Sequence, residues 1–186
     1  MASFDRPINK DIPPSPWVLR FMHLIMSGGS VLDVAAGHGR HARTLLERGH
    51  AVTAVDVDMS ALTDQPNLER MESDLETGAW PFLPLSFDGI VMTNYLHRPH
   101  LPYLMEALAP GGVLLIETFG EGNEKLGRPR NPEFLLKPGE LLDAFSDYLH
   151  VVAYEHCAEY EPRPSVRQRI CAVKADGPMP LDQKLD

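Results

Sequence analysis

The stretch Val31-Leu-Asp-Val-Ala-Ala-Gly-His-Gly-Arg-His-Ala42 decides how this chain folds. It begins as a short apolar run carrying one acid, Asp33, turns through Gly37 and Gly39, and opens into helical periodicity over 40–48. Strand, glycine turn and helix in that order put bare backbone beside a ligand at a helix start. Working outward, strand-like runs at 31–35, 51–55, 68–73, 87–93 and 113–119 alternate with helical patterns at 40–48, 60–63, 99–108 and 139–145. An earlier helix opens at Ser15 as cap with Pro16 in its first turn, and Gly28-Gly29 stops it. Two last strands, 148–160 and 166–175, are close enough in sequence to pair as a hairpin. The expected fold is therefore α/β: a Rossmann-like, doubly wound, seven-stranded sheet, mostly parallel, with an antiparallel C-terminal hairpin strand. The spacing predicts a flexible arm over 1–13, a single domain over 14–175 and a frayed tail over 176–186.

The 186 residues suffice for one domain with a full core, and a hydrophobic share of 44% is that of a globular protein. A formal charge of −9 lacks the broad basic footprint that engages phosphate backbones, so a small acceptor is expected and nucleic acid is not. The N-terminus shows no basic region followed by an apolar core, and runs such as Val113 to Ile116 are too short to span a bilayer. A cytoplasmic protein without membrane contact, monomeric or homodimeric, is expected. Cys157 and Cys171 flank a reversal at 161–165. A turn centred on Pro164 would set them opposite each other, and a one-residue slip would part them; two buried reduced thiols are the expected state.

Two readings compete for the glycine turn. Gly37-x-Gly39-x-x-Ala42, with Asp56 following at ribose distance, satisfies the dinucleotide fingerprint. Against it, Asp33 sits just before the turn, where a carboxylate repels a pyrophosphate and attracts the ammonium and sulfonium of S-adenosylmethionine. Ser73-Asp74-Leu75 follows the third strand, where an acid accepts adenine amino hydrogens beside an apolar cover. Together with the reversed terminal hairpin, these residues resemble the class I S-adenosylmethionine-dependent methyltransferases over about 31–119. Ala35 stands where the family pattern has its first glycine, and the helix expected between the third and fourth strands is missing. Pro16-Trp17-Val18, Asn94-Tyr95-Leu96-His97-Arg98 and Gly127-Arg-Pro-x-Asn-Pro-Glu-Phe-Leu-Leu136 further resemble small bacterial methyltransferases grouped with tellurite-resistance proteins. That likeness implies a small acceptor such as a chalcogen oxyanion or a thiol.

The resemblance implies roles for particular residues. S-adenosylmethionine would lie on Asp33 (ammonium), on the backbone of Ala35, Gly37 and Gly39, on Asp56 (ribose hydroxyls), and between Asp74, Leu75 and either Val57 or Met59 (adenine). Asp58 is the less favoured ribose ligand and reads as a helix cap. Asn94, Tyr95 and His97 end the fourth strand, where donor meets acceptor. Asn94 is either a ligand or a turn former, and His97 either a proton acceptor or a loop histidine. For the acceptor the candidates are Trp17, Thr118, Phe119, Asn123, Arg128 and Arg130, the arginines as anion clamps if the 120–137 loop folds over the site. No metal is expected, because His38-x-x-His41 and His97-x-x-His100 both lack a third ligand. The alternatives are an NAD(P)-dependent oxidoreductase and a non-catalytic module that binds S-adenosylmethionine without turnover.

Overall fold

The computed structural model describes residues 12–175, so the expected tail and nearly all of the expected arm lie outside the described residues. Ser15 caps the first helix by accepting the N–H groups of Trp17 and Val18, and Pro16 occupies a first-turn position where no donor is missed. That helix, α1 (Pro16–Phe21), tightens into a 3-10 turn before β1 (Ser30–Val34). There follow α2 (Arg40–Glu47), β2 (Ala51–Asp56), β3 (Leu68–Glu72), β4 (Phe87–Thr93), α3 (Leu101–Ala107) and β5 (Leu108–Phe119). The chain closes with α4 (Glu140–Phe145), β6 (His150–Glu159) and β7 (Ser165–Val173).

The strand order is β3-β2-β1-β4-β5-β7-β6. β7 alone is antiparallel to its neighbours, β5 and β6. The pleat sends alternate residues to two cores. Leu114 and Ile116 join Leu104, Leu141 and Phe145 on the α3–α4 side, while Val113 and Leu115 join Trp17, Phe21 and Leu45 on the α1–α2 side. Both faces being covered explains why the central strands read as continuous apolar runs. Among the described residues no helix is long and apolar enough to cross a membrane.

Four details depart from, or sharpen, the sequence reading. β5 begins at Leu108 rather than at 113, because fully buried Leu108 pairs with Phe87 across a register shift and draws Ala109-Pro-Gly-Gly into the sheet. No helix forms over 60–63: Asp58 accepts the Ser60 N–H in a local turn that competes with helix, and Leu62 plugs the core instead. The 73–86 connection carries no helix and covers the sheet irregularly with Trp80 and Phe82. Finally, the hairpin closes between Glu159 and Ser165, so Cys157 faces Arg167 and Cys171 faces Ala153. The thiols are both free; Cys171 is buried and Cys157 only half-buried.

Candidate functional site

Strand order reverses between β1 and β4, which opens a crevice at their carboxyl ends. The chain leaves β1 through three left-handed residues, Ala35 (φ 53°), Gly37 (φ 55°) and Gly39 (φ 71°), the last capping α2. Ala35 bears a Cβ in a region that favours glycine, a strain of about 1 kcal/mol that clusters at functional turns. A side chain at Gly39 would meet Leu62 at 2.2 Å, whereas Gly37 faces open space. The turn is thus packed from behind and bare in front.

Asp33 lies beneath this turn, 1% exposed, with Oδ2 accepting the Ala42 N–H of α2 at 3.0 Å. Burial pushes its carboxyl up to about 7; the Ala42 hydrogen bond and nearby Arg40 pull the other way, and Asp56 adds to the rise. A carboxylate held at this depth suits a cation and repels a diphosphate, which disfavours the dinucleotide reading of the same turn.

At the end of β2, Asp56 ties the turn down. Its Oδ2 accepts the Gly37 N–H at 2.8 Å and its Oδ1 the Asp58 N–H at 3.2 Å. Both oxygens keep lone pairs for ribose hydroxyls. Asp58 turns to Ser60 and caps no helix. Tyr95 brings the rest together. Burial, then the carboxylates of Glu76, Asp74 and Asp56, push its phenol above the ordinary range, and its buried Oη has no hydrogen-bond partner. Asp74 is exposed beyond β3, Leu75 is buried, and Val57 stands 64% exposed at the end of β2 while Met59 is sunk in the core. An orphaned phenol, a row of acids and an exposed apolar side chain at one sheet edge fit an adenosine. S-adenosylmethionine suits these residues.

Asn94 ends β4 in the left-handed region (φ 56°). Its N–H donates to the Glu117 carbonyl at 2.8 Å, and its Oδ1 accepts from Arg167 Nη1 at 2.7 Å. Arg167 also donates to Glu117 Oε1 (3.2 Å) and covers the Phe119 ring at 4.3 Å. Glu117 in turn accepts from Ser15 Oγ (2.8 Å) and Arg169 Nε (2.9 Å), and Arg169 reaches Glu155 and Glu159 on β6. Ser15 was read from the sequence only as a helix cap, and Glu117, Arg167, Arg169 and Arg40, whose guanidinium meets Thr93 Oγ1 at 3.3 Å, were given no site role there. The available signal was period-2 spacing of charge, Arg167 and Arg169 on β7 against Glu155 and Glu159 on β6.

The acceptor candidates fare differently. Trp17 is 4% exposed and donates its indole N–H to the Ile170 carbonyl at 3.2 Å, which makes it a sheet-packing residue. Thr118 and Phe119 present 1% and 8% of their surface, so neither opens to the crevice. Asn123 is equally buried, and its amide holds Pro129 O and Val166 N–H, pinning the 120–137 loop to β7. Arg98 anchors the same loop through Glu133 O, Leu135 O and a two-point pair with Glu140, joining two of the stretches that carried the closer resemblance. Arg128 and Arg130 are exposed, and among the described residues Arg130 bonds its own loop at Gly127 O. His97 packs its ring 4.4 Å from His100, toward α3 rather than toward Asn94's partners. His41 Nε2 accepts the Ser15 N–H, and burial pulls its imidazole down to about 3, so this nitrogen is taken by the fold.

A family profile described as a methyltransferase domain matches residues 31–112. Over that segment the chain is similar to methyltransferase domains. Of curated relatives, demethylmenaquinone methyltransferase from Tropheryma whipplei is 34% identical over 104 residues, 51% of this chain and 44% of that protein. The chain thus spans less than half the length of this relative. An S-adenosylmethionine-dependent methyltransferase from Mesorhizobium loti superposes with a TM-score of 0.68 at 16% identity, covering 84% of this chain and 95% of that one. TehB from Haemophilus influenzae gives 0.63 at 19%, covering 81% and 59%. At such identities the superpositions carry the fold of the methyltransferase domain alone, and the tellurite-resistance grouping gains nothing beyond fold.

Proposed function

We propose that this chain transfers the methyl group of S-adenosylmethionine to a small-molecule nucleophile. One observation carries the reading: the buried Asp33 carboxylate under the β1–α2 turn, which suits a cationic adenosyl compound. The donor, when bound, supplies an electrophilic methyl on a good leaving group. Asp33 holds its ammonium; Ala35, Gly37 and Gly39 let the main chain lie against it. Asp56 accepts the ribose hydroxyls, while Asp74, Leu75, Val57 and Tyr95 frame the adenine. Asn94, steadied by Arg167, sits where the acceptor enters, and catalysis consists chiefly of holding the two reactants in line.

Among the described residues no hydrogen bond joins His97 to a carboxylate, and its ring packs on His100, so a strong general base is not part of this reading, and His97 and Tyr95 serve position rather than proton transfer. A soft or already ionised acceptor, such as a thiolate or a chalcogen oxyanion, needs no base. Arg40 and Arg167 at the crevice favour an anion more than the outlying Arg128 and Arg130 do. We place the protein in the cytoplasm as a monomer or homodimer without nucleic-acid partners. Incubation with S-adenosylmethionine and selenite, tellurite, thiols or phenols, read out as S-adenosylhomocysteine, is expected to show turnover with at least one acceptor. Donor binding without turnover on the whole panel would instead make it a binding module, and binding of NAD(P) in its place an oxidoreductase.

A further inference from the structure

Thr93, Glu117 and Arg169 pair side by side across β4, β5 and β7, on the sheet face that α1 and α2 cover. Arg40, the first residue of α2, reaches over this row. Its Nη2 donates to Thr93 Oγ1 at 3.3 Å and its Nη1 to the Pro13 carbonyl at 3.2 Å. Both acceptors are neutral. Arg98, Arg167 and Arg169 each meet a carboxylate, whereas half-buried Arg40 makes no ion pair among the described residues.

The neighbourhood leaves the Arg40 charge over. Arg20, Arg167 and Arg169 face Glu117, Glu155 and Glu159, three cations against three anions, in a chain whose formal charge is −9. Burial holds the Arg40 guanidinium below its ordinary range; Glu117 and Asp33 pull it back up, and Arg167 pushes it down again. A half-buried charge without a counterion is costly, and a like charge beside it adds to the cost. An anion between the two guanidinium groups relieves both. Arg40 bonds Thr93 and Arg167 bonds Asn94, so that anion sits at the end of β4, where the acceptor enters, rather than at the β1 turn.

We propose that the methyl acceptor carries a carboxylate, bound by Arg40 with Arg167 beside it, and that Arg40 thereby selects small carboxylic acids over neutral nucleophiles. A carboxylate suits because a planar guanidinium can take both of its oxygens. The acceptor's nucleophilic atom gains the methyl as the donor's sulfonium–methyl bond breaks, and S-adenosylhomocysteine leaves. The inference rests on the methyl-transfer reading and adds a substrate class to it.

The test loads the protein with S-adenosylhomocysteine and titrates two matched pairs of thiols by calorimetry. The pairs are 3-mercaptopropionate with 3-mercaptopropan-1-ol, and 4-mercaptophenylacetate with 2-(4-mercaptophenyl)ethanol. In at least one pair the carboxylate is expected to bind about tenfold or more tightly than its neutral twin, as a charge-assisted contact gives. Arg40→Gln should erase that difference. Arg40→Lys, which keeps the charge and loses the fork, should retain part of it. No preference in either pair, or a preference that survives Arg40→Gln, would overturn the proposal. So would an Arg40→Gln protein that loses affinity for S-adenosylhomocysteine but not for 5′-methylthioadenosine, which lacks a carboxylate, because the guanidinium would then serve the donor. Equal losses for all four thiols would reduce Arg40 to a fastening of Pro13 and overturn it as well. Failure of S-adenosylhomocysteine to bind the unmodified protein would instead bring down the methyl-transfer reading, and this proposal with it.

Discussion

Asp33→Asn is expected to weaken S-adenosylmethionine binding by at least about thirtyfold, since one charge-assisted contact in a buried site is lost. The same change should stabilise the ligand-free protein. Asp33 has a carboxyl pushed to about 7 in the fold against an ordinary 3.8. Between those values the native state holds a proton that the unfolded chain has released, so stability falls as pH rises from about 4 to about 7. An asparagine keeps the acceptor for the Ala42 N–H without that penalty. The gain at pH 8 is of the order of 2–4 kcal/mol, and the decline of stability over that pH window should flatten. Denaturant titrations at pH 5 and 8, beside donor calorimetry, read both effects. A variant with unchanged donor affinity, or one less stable than its parent at pH 8, would contradict the role given to Asp33. Stability surrendered at one residue in exchange for ligand affinity is a mark of a binding site.

The second large effect belongs to Glu117. It is 6% exposed and receives Ser15, Arg167 and Arg169, so it couples α1, β5 and β7 at the edge where Asn94 emerges. Glu117→Ala leaves two largely buried guanidinium groups short of a partner, and breaking a buried pair in this way costs about 3 kcal/mol or more. Glu155, Glu159 and Asn94 retain part of the network, which places the loss at the lower end of that range. Glu117→Gln, which preserves shape and acceptor, should lose clearly less. A shift in the urea midpoint for Glu117→Ala of under about 1 kcal/mol equivalent would show that the network is not a fastening of this edge.

Much of the fold was legible because its signals are local. The Asp33 acid, the glycine turn and the following helical period lie within a dozen residues, and each survives as β1, a left-handed turn and α2. The crossover at Asp56 and the reversed last strand followed from the same alternation. What was not legible depends on partners far apart in the chain. Glu117 meets Arg169 across 52 residues and Ser15 across 102, and neither separation leaves a periodic trace. Leu108 was read as a helix end because Pro110 and the glycines follow it, yet its burial against Phe87 outweighed that local chemistry. Arg128 and Arg130 looked like anion ligands from composition, while Asn123 and Arg98 hold their loop to the fold and leave both arginines in solvent.

The central claim is that a buried carboxylate at the first crossover chooses a cationic adenosyl compound. Calorimetric titration of the unmodified protein with S-adenosylmethionine and with NAD, from pH 5.5 to 8.5, tests it most directly. The account predicts binding of S-adenosylmethionine that tightens by about tenfold per pH unit below 7, with release of a proton, and levels off above, while NAD gives no heat. Tighter binding of NAD, or an affinity for S-adenosylmethionine that does not change across that range, would contradict it.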